Sequence, residues 1–193
     1  MRPDAFKRQR QQGSSLIEVL VTMVILLLGL LGLVGLMLQA QRSQMESYQR
    51  EQALVILQDM VNRMTANPAQ VASCYALPSA FTNVSYVGTG YSGTPACGAA
   101  PWTNAQIRAA ADLAEWNALL QGSAETLDGN NVGAMIGAVG CITADATLAG
   151  VYWVSVSWQG NSKTVAPADL CGQNLFGDDA QRRTVSVPVK IVS

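Results

Sequence analysis

The longest apolar run in the chain lies near its start. From Leu20 to Leu38 the sequence reads LVTMVILLLGLLGLVGLML, 19 residues in which Thr22 is the one polar side chain. As an α-helix this run rises to about 28 Å, close to the hydrocarbon thickness of a bilayer, which predicts one membrane span. Ahead of it stand Arg2, Lys7, Arg8 and Arg10 against the single acid Asp4. By the positive-inside bias this end stays in the cytoplasm and everything after Leu38 is exported. A cleaved secretory signal is the competing reading, but its apolar region is about 7–15 residues with a small-x-small site behind it. Here the run is longer, and Leu38-Gln39-Ala40 puts a bulky Leu where a small residue is needed. No cysteine lies nearby to carry a lipoprotein anchor.

After Leu38 the pattern becomes amphipathic, and no helix breaker appears until Asn67-Pro68, where the residue before proline resists helix. A helix from Ser14 to Ala66 would be about 80 Å long if continuous. Leu54, Leu57, Val61 and Met64, spaced 3, 4 and 3, share one face, while Arg50, Gln58, Asp59, Asn62 and Arg63 occupy much of the remainder. This half therefore packs one side against something, most simply the chain's own globular domain. Gly29, Gly32 and Gly35 recur every third residue within the span, where glycine marks close helix contact or a soft segment.

Residues 67–101 are rich in turn formers, with Pro68, Pro78, Pro95 and Pro101 and a Gly/Ser/Tyr run from Val87 to Gly93. Gly88, Gly90 and Gly93 match G-x-G-x-x-G in form, but no strand precedes and no helix follows, so this is a loop and not a nucleotide cradle. A helix comes next: Thr103 can cap it, Gln106 sits three residues on, and Ile107 to Leu120 is Ala-rich until Gly122. Trp116 on this helix reads as core. Val151 to Trp158 alternates, placing Tyr152, Val154, Val156 and Trp158 on one face. Val185, Val187, Val189 and Ile191 alternate likewise, with Pro188 favouring an edge strand, and a weaker strand spans Val132 to Ile142. The expected fold is α+β, a small antiparallel sheet laid over the amphipathic half of the long helix.

Composition narrows the chemistry. Among 193 residues there is no histidine, which excludes His-centred triads, bases and metal sites. Lys+Arg 12 against Asp+Glu 13 leaves a net charge of −1, without the basic excess of a nucleic-acid binder. Charged residues are only 13% and mean hydropathy is +0.19, as expected of a chain with one segment outside water. Cys74, Cys97, Cys141 and Cys171 all follow the span and contain no C-x-x-C, so they read as disulfides of an oxidising compartment rather than zinc ligands. Of three possible pairings, loop closure favours Cys74–Cys97 with Cys141–Cys171. Asp169, Asp178 and Asp179 could hold calcium, but Arg182 and Arg183 stand near enough to be their partners. No nucleophile–base pair, cofactor cradle or metal spacing is left, and no enzyme is expected.

Immediately before the span the chain reads Gln12-Gly13-Ser14-Ser15-Leu16-Ile17-Glu18-Val19-Leu20-Val21. Burying an unpaired charge costs roughly 2.5–3.5 kcal/mol, less near an interface, so Glu18 beside an apolar run either sits at the headgroup level or, as the functional reading, meets a cationic partner supplied by another chain. These residues resemble the type IV pilin family, including the pseudopilins of type II secretion. The resemblance rests on a short basic leader, Gly13 at the processing site and Glu18 as fifth mature residue, followed by the apolar run. It implies cleavage between Gly13 and Ser14 by a prepilin peptidase, dividing the chain into a leader (1–13), a span (14–38), an amphipathic half (39–66) and a periplasmic domain (67–193). The family's first mature residue is usually an N-methylated Phe; here it is Ser14. The resemblance also gives Glu18 its partner, the α-amino group of the neighbouring subunit, which exists only after the leader is removed. It implies the pilin ladle, a long helix packed against a small sheet.

Beyond the N-terminus, Cys141-Ile142, Val151 to Gln159-Gly160, Asp169-Leu170-Cys171-Gly172, Arg182-Arg183 and Asp112-Leu113-Ala114-Glu115-Trp116 resemble PilV-type minor pilins. That implies a low-copy subunit, stored in the inner membrane, that initiates pilus assembly near the tip. Its partners would be other minor and major pilins, the inner-membrane assembly platform and a tip adhesin. The alternative is a minor pseudopilin of a type II secretion system. An alternative of another class is a single-span anchored receptor or enzyme domain, in which Glu18 would be incidental.

Overall fold

The computed structural model describes residues 15–77, 79–80, 83–93, 95, 97–98, 100–133 and 135–192. The chain divides into two compact units, 1–43 and 44–193. Helix α1 spans Leu16–Ala66. In the first unit every described residue is exposed. The second unit is α+β: residues 49–64 of α1 pack with helix α2 (Asn104–Leu120) and an antiparallel sheet.

The α1 face buried in the second unit is Gln49, Ala53, Ile56, Leu57, Met60 and Met64. Leu57 and Met64 lie where the sequence pattern puts them. Leu54 does not, being 44% exposed, and Val61 sits at the flank. The face is rotated toward Ala53 because a small side chain lets the neighbouring elements approach closely, which the spacing of large aliphatics does not register. After Ala66 the chain makes a 3-10 turn at Pro68–Gln70 and a π-helical turn at Val71–Tyr75, inside the stretch read as loop.

Helix α2 begins with the capping box expected of its sequence: Gln106 N donates to Thr103 Oγ1 at 3.3 Å, and Thr103 N to Gln106 Oε1 at 2.9 Å. It ends in a Schellman arrangement, with Gly122 N on Leu119 O at 3.0 Å and Ser123 N on Ala118 O at 3.1 Å, around a positive φ at Gly122.

Among the described residues there are eight strands, three before α2 and five after it: β1 (Ser79–Ala80), β2 (Asn83–Val84), β3 (Val87–Gly88), β4 (Thr126–Leu127), β5 (Asn130–Asn131), β6 (Ile136–Ala144), β7 (Val151–Gln159) and β8 (Arg182–Lys190). The main sheet has the order β3-β6-β7-β8, all antiparallel, while β1-β2 and β4-β5 are separate hairpins. Val132 is not in β6, as the sequence reading has it. Asp128 and Gly129 both take positive φ and turn the chain from β4 into β5, and Val132 extends that hairpin, its N–H donating to the Glu125 carbonyl at 2.8 Å, so β6 starts only at Ile136. Strand β8 is an edge, and Pro188 sits in it opposite Trp153.

Val154, Val156 and Trp158 face the core with Val185 and Val189, meeting Ala53, Leu57 and Met60 of α1 and Leu113 and Trp116 of α2. Trp116 is fully buried and ties the layers together. Its Nε1 donates to the Ile56 carbonyl at 3.1 Å, and its ring lies on Gly140 of β6 so closely that a Cβ there would overlap it. Gly140→Ala should therefore lower stability by about 1–3 kcal/mol through overpacking. A thermal melt read by near-ultraviolet circular dichroism, with no fall in Tm, would refute this packing.

Candidate functional site

The residues that the sequence marks for function fall in the first turns of α1 and in the apolar run behind them. Gly13 and Ser14 lie outside the described residues. Ser15 opens α1, its carbonyl accepting the backbone N–H of Glu18 at 2.9 Å and of Val19 at 3.2 Å. Glu18 stands in the first helical turn, where a carboxylate complements the helix dipole. Behind it, Leu20, Ile25, Leu28, Leu31, Val34 and Leu38 are all exposed, as are the aliphatic residues between them. Thr22 satisfies its hydroxyl on the Val19 carbonyl at 2.9 Å, so even the one polar side chain makes no demand on solvent. Nothing stands within 4 Å of the place a Cβ would occupy at Gly29, Gly32 or Gly35. Among the described residues α1 is the one helix long and apolar enough to cross a membrane.

In the second unit the chemistry-bearing side chains act as fasteners. Arg63, which the sequence pattern places off the apolar face of α1, gathers three carboxylates. Nε donates to Asp59 at 2.7 Å, and Nη1 donates to Asp112 at 3.0 Å and to Glu115 at 2.7 Å. The bond to Glu115 is the chief reason the guanidinium pKa is raised and the Glu115 carboxyl lowered. Asp112 also accepts the Tyr75 hydroxyl at 2.6 Å. Burial first, and this bond second, push the Tyr75 pKa above its usual range. One cluster thus joins the end of α1, the π-helical turn and α2.

The three aspartates considered for calcium do not converge. Asp169 accepts Ser155 Oγ at 2.6 Å, Ser186 Oγ and the Cys171 N–H at 2.7 Å. Asp178 pairs with Lys163 at 2.7 Å. Asp179 takes a fork from Arg182, at 2.7 Å from Nε and 2.9 Å from Nη2, which holds its carboxyl below the ordinary range. Among the described residues no group of three or more His, Cys, Asp or Glu could hold a metal ion. Arg182 is wholly buried and also donates to the carbonyls of Pro167, Asp169 and Cys171, fixing the 161–181 segment to the sheet. Arg183, expected beside the aspartates, turns instead to Glu46 at 3.4 Å, because its strand position points it to the other face of the sheet.

Cys74 is bonded to Cys97 and Cys141 to Cys171. The second bond ties the same 161–181 segment to β6. The Gly88–Gly93 segment contributes to β3: Gly88 N donates to Asn117 Oδ1 at 2.7 Å, and Gln121 Nε2 donates to the Gly88 carbonyl at 3.1 Å. The backbone of Gly88 is thus engaged by α2, and the Thr89 N–H by the Ala138 carbonyl of β6 at 2.8 Å.

Residues 8–34 match the family model described as the prokaryotic N-terminal methylation motif. The match takes in the end of the basic leader, Gly13, Glu18 and more than half of the apolar run. No curated protein and no solved structure matches the chain. The chain therefore carries a type IV prepilin-like leader joined to a helix fit to anchor it in a membrane by a single pass.

Each Leu, Ile or Val contributes about −0.3 to −0.6 kcal/mol to insertion at a helix centre, and an Arg opposes it by about 2.5–3.5 kcal/mol. Against so many aliphatic residues one Arg is outweighed and two come near balance. Leu28→Arg should remain with membranes after alkaline carbonate extraction, and Leu26→Arg combined with Leu30→Arg should be released. Release of the unaltered chain would remove the span.

Proposed function

We propose that this chain is a minor pilin of a type IV pilus. It would be made as a membrane-stored precursor, cleaved between Gly13 and Ser14 by a prepilin peptidase, and then incorporated where the filament is initiated, near its tip. The observation that carries the reading is the methylation motif at 8–34, which extends into the apolar part of α1, where every described residue up to 43 is exposed. A lone span needs apolar residues, but it needs neither the leader glycine nor a carboxylate five residues behind it.

On this reading the processed α-amine of one subunit pairs with Glu18 of its neighbour. In a low-dielectric helix bundle such a pair attracts strongly, and removing either member leaves a buried charge. Processing then switches on assembly, because the amine appears only when the leader is cut. The domain at 67–193 would face the periplasm in storage, where the two disulfides suit an oxidising compartment. Other minor and major pilins, the inner-membrane assembly platform and a tip adhesin are the partners this role calls for. The same N-terminus would also serve a type II secretion pseudopilus; the size of the domain and its two disulfides favour the pilus.

The test is the intact mass of the chain recovered from membranes with and without the peptidase. A peptidase-dependent start at Ser14 is expected, and one further methyl would establish modification of that serine. Gly13→Leu should leave full-length precursor. Glu18→Ala should be processed normally yet reduce piliation by about tenfold or more, the equivalent of about 1.4 kcal/mol of assembly energy. Normal pili from both variants would overturn the filament reading.

A further inference from the structure

Strand β7 turns Val154, Val156 and Trp158 into the core that contains Ala53, Leu57 and Met60 of α1, so its alternate residues face away from that helix. On this outer face the 161–177 segment covers one end: Ser155 Oγ reaches Asp169, and Ser157 Oγ reaches the Cys171 carbonyl at 2.8 Å. Trp153 stands beyond that cover, 36% exposed. Its direct partners across the sheet are Thr143 on β6 and Pro188 on β8, and exposed Lys190 is its diagonal neighbour on the same face.

The indole is held in place. Its Nε1 donates to Asp145 Oδ2 at 2.8 Å, while Asp145 Oδ1 accepts the backbone N–H of Thr147 and Leu148 and the Thr147 hydroxyl, each at 2.8 Å. These donors keep the Asp145 carboxyl well below the usual carboxylate range, so the tether stays ionised through physiological pH. The result is a fixed, partly exposed ring with its polar edge satisfied, next to a proline, a hydroxyl and an ammonium on the same face.

We propose that Trp153, Pro188, Thr143 and Lys190 form a shelf that binds the pyranose ring of a glycan. An indole whose N–H is already spent offers dispersion and C–H contact over its face, which is what the apolar side of a pyranose presents. Asp145 is committed to the indole and to its own turn, which leaves the Thr143 hydroxyl, a donor and acceptor, and the Lys190 ammonium, a donor, to meet the hydroxyl, ring and carboxylate oxygens of a sugar. Because the tether fixes the ring before binding, little side-chain freedom is lost on association. An external ligand, rather than a neighbouring subunit, fits the side facing away from α1; that clause rests on the proposed filament, where α1 lies inside.

The full chain, dissolved in a sugar-free polyoxyethylene detergent, is titrated calorimetrically with tetramers of β-linked glucose, of β-linked N-acetylglucosamine, and of glucuronic acid alternating with N-acetylglucosamine. At least one should bind. Trp153→Ala should weaken that binding by about tenfold or more and Trp153→Phe by less, with unchanged thermal transitions. Lys190→Ala should weaken the acidic tetramer more than the neutral ones. No binding to any of the three, or equal binding by Trp153→Ala, overturns the shelf. So does self-association without sugar that Trp153→Ala abolishes, which would make this face a contact between copies. The dissolved chain is unassembled, so a failure here leaves the start at Ser14 unaffected, and a failure of that processing leaves the titration readable.

Discussion

Side chains between Leu20 and Leu38 leave water by entering lipid or by packing on helices of other chains, because among the described residues none of them is covered. A fully buried aliphatic side chain is worth about 1.5–3 kcal/mol relative to an exposed one, so a run of this length cannot stay in solution. The rest of the chain is organised around that demand. Thr22 bonds back to its own helix, no charge interrupts the run, and the nearest acid, Glu18, stands at its edge. The second unit uses α1 differently: from Gln49 onward one face of the same helix is buried by the chain's own domain.

What holds that domain together is a set of long-range polar fasteners laid over a modest core. Trp116 links α2 to the Ile56 carbonyl, and Arg63 links α1 to Asp112 and Glu115 of α2. Arg182 fastens the 161–181 segment to the sheet with help from the Cys141–Cys171 bond. Burying a guanidinium is expensive unless its donors are met, and Arg182 meets them with a carboxylate fork and three carbonyls. Removing Asp179 alone would leave a buried charge without its counterion, so the cluster stands or falls as a unit. The outer face of the sheet is thereby sealed at Ser155 and Ser157 and left open at Trp153.

Periodicity made the elements legible in the sequence, whereas their partners were not. Asn67-Pro68 stopping α1, the Thr103/Gln106 box starting α2 and the alternation of Val154, Val156 and Trp158 are local signals, and local physics decides them. The rotation of α1 was misjudged at Leu54 because the pattern weighs large aliphatics, while close packing at Ala53 rewards a small one. Arg182 beside Asp179 is a local pairing that the sequence offered, whereas the partners of Arg63 on α2 belong to another element, and no spacing rule brings Arg63 to Asp112. The Asp128-Gly129 turn is a readable hairpin signal, and the hairpin it makes takes Val132, which the expected strand from Val132 to Ile142 assigns to the sheet. At the candidate site, the apolar run and the position of Glu18 were plain in the sequence. The tether of Trp153 was not, since it needs Asp145 folded back by a turn.

On the proposed filament reading, the two kinds of residue at the start of α1 do different work. Leu-rich helices attract one another through dispersion and small-residue contacts that change little when one helix slides past another by a turn. Such packing gives adhesion without register. A carboxylate and an ammonium about 4 Å apart attract by about 4 kcal/mol at an effective dielectric of 20, against about 1 kcal/mol in water. Sliding one helix by a turn, about 5.4 Å, stretches the pair to about 6.7 Å, cuts the attraction from about 4 to about 2.5 kcal/mol and leaves both charges without a close partner in apolar surroundings. Glu18 would therefore choose the register while the run from Leu20 to Leu38 supplies the adhesion. Neither suffices alone: an apolar helix without the charge associates in many ways, and a charge without the helix has no low-dielectric setting in which to matter.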